Sequence, residues 1–197
     1  MPTEISGSTG VNKIQDGTVV NADINSSAAI AGSKLVMPAG SMLQTVYTDG
    51  MTAFASTSQT YVDTPLTVTI TPKFTSSKIL ILANVHMYLN NHSTNAWNSV
   101  DFRVVRTIGG SATNVFHTYE DDGTGSDYGY TFGRYTTDAA DRMMATTPVH
   151  YLDSPNTTSS TTYKIQAHSG ASGHNGYVVT NGNGYGISTL TLMEVAG

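Results

Sequence analysis

Leu66, Val68 and Ile70 alternate with Thr67, Thr69 and Thr71 until Pro72 interrupts the run. A side-chain period of two describes a strand with one face on a core and the other in solvent. Proline ends such a run because it cannot donate to a sheet ladder. The same period returns along the chain. Lys78 to Leu89 carries Ile79, Ile81, Ala83, Val85 and Met87 on one face and Leu80, Leu82 and Tyr88 on the other. Trp97 to Ile108 puts Val100, Phe102 and Val104 opposite Arg103. Val115 to Tyr119, Tyr128 to Tyr135, Arg142 to Tyr151 and Tyr163 to His168 read as further strands. Gly186 to Val195 again has two apolar faces, with Ile187, Met193 and Val195 against Leu190 and Leu192.

About eight to ten such strands, joined by Gly-, Asn- and Ser-rich turns, predict an all-β fold, a two-sheet jelly-roll sandwich. Composition agrees. Only 12% of the 197 residues are charged, about half the usual share. Thr, Ser, Asn and Gly take their place, and no stretch repeats apolar residues at helical spacing over several turns. Strands apolar on both faces need cover beyond the opposing sheet. A closed homo-oligomer, with three-fold symmetry preferred, is therefore expected.

Residues 1–40 differ. They hold no aromatic residue, and their apolar positions Ile14, Val19, Ile24, Ile30 and Leu35 recur at intervals of about five. That period is neither helix nor strand. It suits an extended, turning segment whose single apolar row is covered by copies of itself or by a docking surface. Pro38-Ala39-Gly40 reads as a hinge between this attachment segment and a head at residues 41–197.

Several stretches carry a family likeness. Asp16–Ile24 with Ala28–Leu35 resembles the repeat of phage fibre stalks and adaptors. Thr60–Pro72 and Thr75–Leu80 resemble the opening strands of phage fibre heads, and Phe102–Arg106 a strand from their middle. Tyr151–Pro155, Thr161–Gln166 and Ser188–Gly197 resemble the closing half. The chain thus resembles virion and tail-fibre proteins of marine bacteriophages with complement/tumour-necrosis-factor-like jelly-roll heads. The resemblance implies a fold, a homotrimer and a place in the virion. It carries no catalytic motif.

The remaining chemistry is sparse. A formal charge of −5 with nine scattered Lys and Arg gives no footprint for nucleic acid or an anionic membrane. The five-residue run Ile79–Ala83 is too short to insert in a bilayer. Met1–Glu4 lacks the basic and apolar regions of a signal peptide, so synthesis in the host cytoplasm is expected. With no Cys there is no disulfide or thiolate metal site. No cofactor is expected. Glu120–Asp127 is the one dense acidic stretch, and Asp121, Asp122 and Asp127 are weak calcium candidates on a Gly-rich loop. That stretch lacks the ligand alternation and distal Glu of a calcium loop, and a solvated hairpin accounts for it better. Six His are spread over the head; His86 and His92, and His168 and His174, flank probable turns without the spacing of a zinc helix and read as polar surface, with a metal shared by such pairs on a trimer axis as the alternative. No Gly-x-Ser-x-Gly elbow or facing carboxylate pair points to hydrolysis. Trp97, Asn175, Tyr177, Asn183 and Tyr185, in Gly- and Asn-rich loops, have the vocabulary of a sugar-binding surface, as a jelly-roll corner also does.

The sequence thus predicts a non-enzymatic structural virion protein. Its partners would be itself, another tail or capsid protein through residues 1–40, and, in a receptor-binding tip, a host surface glycan. Fibre subunit and capsid decoration remain alternatives.

Overall fold

The computed structural model describes residues 27, 37–49, 54–90, 96–116, 118–119, 127–128, 130–136, 143–169, 175–178 and 186–197. The chain divides into two units, residues 1–36 and 37–197, and the strands of the described residues belong to the second.

The described residues form twelve strand segments: β1 (Met42–Asp49), β2 (Val62–Ile70), β3 (Lys78–Asn90), β4 (Ala96–Ile108), β5 (Ser111–Phe116), β6 (Thr118–Tyr119), β7 (Asp127–Tyr128), β8 (Tyr130–Thr136), β9 (Met143–Asp153), β10 (Thr161–Ser169), β11 (Asn175–Val178) and β12 (Thr189–Val195). In one sheet β1 pairs with β12 and β12 with β3, while β9 lies along the other edge of β3. β11 continues the lane of β12 along the far half of β3. In the second sheet the order is β2, β10, β4, and then β5 and β8 share one lane along β4. Counting shared lanes once, the first sheet follows the chain order 1-8-3-6 and the second 2-7-4-5. That is a jelly roll, with all pairings antiparallel.

The alternation sets which side chains fill the middle. Ile79, Ile81, Ala83, Val85, Met87, Val149, Leu190 and Leu192 come from the first sheet, and Leu66, Val68, Ile70, Val100, Phe102, Val104, Tyr163, Ile165 and Ala167 from the second. These form one buried cluster, as expected for two inner faces packed about 10 Å apart.

Two local devices hold the ladder. Gly109 and Gly110 both have positive φ (55° and 86°) between the paired residues Ile108 and Ser111, so β4 and β5 close in a two-residue primed turn. In the edge strand β2, the register against β10 shifts where Pro65 lies. Thr64 fills the irregularity: its hydroxyl donates to Ile165 O at 2.8 Å and accepts from Leu66 N at 3.2 Å. A proline at a bulge removes a donor from an exposed edge and discourages stray pairing there.

Two expectations are corrected. Asn175-Gly176-Tyr177 is not loop but the start of β11, because it pairs with Asn90, Leu89 and Tyr88. Its turn-like composition is overridden by an open lane beside the long strand β3. Pro38-Ala39-Gly40 is not a free hinge: Ser41 N donates to Pro38 O, and Gly40 N to Ala196 O at 2.8 Å.

Candidate functional site

The strand directions give the sandwich two distinct ends. Residues 37–41, the 71–77, 109–110 and 154–160 turns and the C-terminus gather at one, the terminal end. The connections from β3 to β4, β8 to β9 and β10 to β11 leave from the opposite, distal end.

The terminal end contains two polar clusters inside the sandwich. Glu194 is fully buried, and its carboxylate accepts from Ser77 Oγ (2.6 Å), Lys73 N (2.6 Å) and Gln44 Nε2. It thereby ties β1, β12 and the β2–β3 turn together. Asp153 accepts from Arg106 Nη1 and from Tyr163 Oη at 2.6 Å. Burial, reinforced by the hydrogen bond to Asp153, pushes the Tyr163 phenol above its ordinary range. Sequence reading missed both clusters. The available signal was parity, since Glu194 continues the row of Leu190 and Leu192, and Asp153 that of Val149.

The outer face of the second sheet is polar. Lys164 and Gln166 both bond Asp63, and Arg103 Nε donates to Gln166 Oε1 at 2.9 Å. Partial burial opposes ionisation of Asp63, but Lys164 and Gln166 outweigh it and hold the carboxyl below the usual range. Toward the distal end, Arg103 lies 4.1 Å above the Tyr61 ring, and Tyr61 meets His168 edge-on at 4.3 Å. His168 Nε2 is 3.3 Å from Asp101 Oδ2. His168 is therefore not the polar surface expected: Tyr61 and the buried Asp101 enclose it. Ser99 donates to that same Asp101 oxygen, so the three residues do not form a nucleophile–base–acid chain, which needs the hydroxyl on the imidazole.

The outer face of the first sheet is different. Its rows run Thr45–Met193–Leu80–Leu152 and Tyr47–Thr191–Leu82–His150, each across four strands. Met42 and Val195 extend the apolar surface at the terminal end. Leu152 is 47% and Tyr47 74% exposed, and Leu80, Leu82 and Met193 are half-buried. On the distal half of this face the His86 ring lies under Gly186, with Nδ1 2.8 Å from Thr146 Oγ1. Burial lowers the His86 pKa, and Nε2 is buried without a hydrogen-bond partner.

The sites anticipated from the sequence are distributed as follows. Ile14, Val19, Ile24, Ile30 and Leu35 lie outside the described residues, as do Asn183, Tyr185, Asp121 and Asp122. Asp127 pairs with Tyr119 in the short β6–β7 ladder. The backbones of Trp97, in β4, and of Asn175 and Tyr177, in β11, are brought to the distal end, one strand from each sheet. Among the described residues no group of three or more His, Asp or Glu is placed to hold a metal.

No family model matches the chain, and no curated protein matches it. Solved structures give distant likenesses. A structure of the Gt strain of infectious bursal disease virus is 11% identical, with a TM-score of 0.33, over 86% of this chain and 42% of that one. The VP2 subviral particle of infectious bursal disease virus is 10% identical, with a TM-score of 0.32, over 78% and 37%. This chain thus spans well under half the length of either. Likeness at this level says nothing of what the chain binds or assembles with.

Proposed function

We propose that this protein is a non-enzymatic structural subunit of a bacteriophage particle: a fibre or fibre-tip subunit, attached through residues 1–40 and displaying a trimeric jelly-roll head. The observation that carries the reading is the single terminal end. Residues 37–41 and the C-terminal residues are hydrogen-bonded together there, so the N-terminal segment enters the head at the end opposite the distal connections. The distal end of the head is thus the one farther from the point where residues 1–36 join it. The phage resemblance of residues 16–35 and of the head strands supports the same reading. Capsid decoration fits the same architecture and differs only in the docking partner.

Deleting residues 1–36 tests it. The expected product is a folded, soluble head that no longer joins particles, while the full chain is located on them by electron microscopy. Incorporation of the truncated head at the normal level would refute the assignment.

A second reading, recognition of a host glycan, is supported by the position of the Trp97, Asn175 and Tyr177 backbones at the distal end. Binding of the full chain to host cells, lost on Trp97→Ala or Tyr177→Ala in a folded head, is its expected result. Binding that both variants retain would remove it.

A further inference from the structure

Two arginines of β4 face opposite ways and are satisfied to different degrees. Arg106 has the parity of Phe102 and Val104 and points inward, where both oxygens of Asp153 accept from its Nη1 at 2.8 Å. Arg103 points outward on the second sheet. Its Nε donates to Gln166 Oε1 at 2.9 Å, and its Cζ lies 4.1 Å above the Tyr61 ring. Gln166 is itself fixed, since its Nε2 donates to Asp63 at 2.7 Å. The guanidinium is thus held by one edge and one face, while among the described residues no acceptor stands on its Nη1 or Nη2. The carboxylates of the same outer face are already engaged. Asp63 accepts from Lys164 and Gln166, and Asp101 accepts from Ser99 with His168 3.3 Å away.

We propose that Arg103 anchors a binding site for an acidic sugar, its Nη1 and Nη2 donating side by side to the two oxygens of the sugar's carboxylate. The site goes beyond the glycan reading of the distal end. Arg103 lies six residues along β4 from Trp97, about 20 Å of strand, and its site stands whether or not Trp97 and Tyr177 bind anything.

Three observations select this ligand. The fork is already positioned: an arginine bonded at Nε and resting on an aromatic ring loses little further freedom on binding, and its remaining donors match a planar carboxylate. The charge suits a monoanion. Lys164 is paired with Asp63, so Arg103 is the cation left over on this part of the face, and it is partly exposed. A phosphate dianion, or a run of acidic residues in a peptide, would meet Asp63, Asp101 and a chain of formal charge −5. A sugar acid brings one carboxylate per ring among uncharged groups. Finally, the surface beside Arg103 is built for hydroxyls. Toward the terminal end the same face continues through Thr67 to Thr69 and Thr162, whose hydroxyls lie 2.8 Å apart, with Thr107 aligned to Thr162 on β4. These neutral groups both donate and accept, as sugar hydroxyls do.

Calorimetric titration of the full chain with methyl glucuronide and with methyl glucoside tests the site, because the glucoside carries a hydroxymethyl group where the glucuronide has its carboxylate. The glucuronide should bind at least about tenfold more tightly. Arg103→Gln should abolish that preference. Arg103→Lys keeps the charge but presents no fork, and should reduce it at least about threefold. Lys73→Gln removes one positive charge at the terminal end, where its Nζ donates to Leu43 O, and should leave the preference unchanged. Circular dichroism verifies the fold of each variant. Equal affinity for the two glycosides, no glucuronide binding at about 10 mM, or a preference that survives Arg103→Gln overturns the site. Acetyl-glutamate amide or inorganic phosphate bound as tightly as the glucuronide overturns the assignment to a sugar.

Discussion

Arg106 on β4 donates through Nη1 to both carboxylate oxygens of Asp153 on β9, at 2.8 Å each, so one ion pair bridges the two sheets of the sandwich. Both side chains are largely buried, at 17% and 8% exposure. Removing one partner strands the other charge in the interior, which in comparable cases costs about 3–5 kcal/mol. Asp153→Ala should therefore lower head stability by about that amount in urea unfolding. The double variant Arg106→Met/Asp153→Leu should recover most of the loss, since a packed apolar pair substitutes well for a buried ion pair. Equal losses in the single and double variants would show that the bridge is not the source.

Glu194 should behave differently, because its hydrogen-bond donors, the Ser77 hydroxyl, the Lys73 backbone N–H and the Gln44 amide, are neutral. Glu194→Ala leaves these donors unsatisfied in the interior at about 1–3 kcal/mol per group. Hydrogen exchange should then quicken at Ser77 and in the first residues of β1. Glu194→Gln keeps the oxygen facing Ser77 and Lys73, but the Gln44 amide can turn over to accept from the new amide only by giving up its bond from Nε2 to Thr71 O, so the cost should be about 1–2 kcal/mol. A large and equal effect of both would mean that the negative charge itself is required.

These two clusters also mark the limit of what the sequence makes legible. Period-two alternation is a local property, so Tyr163, Ile165 and Ala167 identify their own inner face, and β3 shows a second apolar face beyond the one that fills the core. Pairing is not local. That β3 faces β12 and β9 rather than β4, its neighbour in sequence, follows from the jelly-roll crossings, which no five-residue window contains. Glu194 and Asp153 occupy inner-face positions that parity identifies, yet a lone acidic residue there gives no hint of its partners. The exposed apolar face was visible as the second face of β3 and β12, while the polar face opposite it became clear only when register aligned Asp63, Lys164 and Gln166.

His86 makes stability depend on pH with a definite sign. Burial holds its pKa below the ordinary imidazole value of 6.5, so the unfolded chain takes up a proton first as the pH falls. The neutral-His contribution is complete above about pH 6.5 and declines as the pH passes down toward the folded value. Other groups titrate in the same range, so the readout is the difference between wild type and His86→Gln in urea unfolding at pH 7.5 and pH 5. The advantage of wild type should shrink on acidification. An advantage that grows at pH 5 would reverse the assignment and imply a cationic His86 with an acceptor at Nε2.

Gly186 provides the last test, of how closely the segment leading into β12 packs on β3. Its φ of 150° lies where L side chains are strained, and an added Cβ would stand 2.8 Å from ring carbons of His86. Gly186→Ala therefore meets two separable penalties, one in the backbone and one against the imidazole. The total should be about 1–3 kcal/mol, measured by thermal or urea unfolding. Combining it with His86→Ala removes the ring and leaves only the backbone strain, so the alanine at position 186 should cost less in that background than in wild type. The difference between the two costs is the coupling between Gly186 and His86. A coupling within about 0.3 kcal/mol of zero would mean that the ring moves aside freely and that backbone strain alone requires glycine at this position.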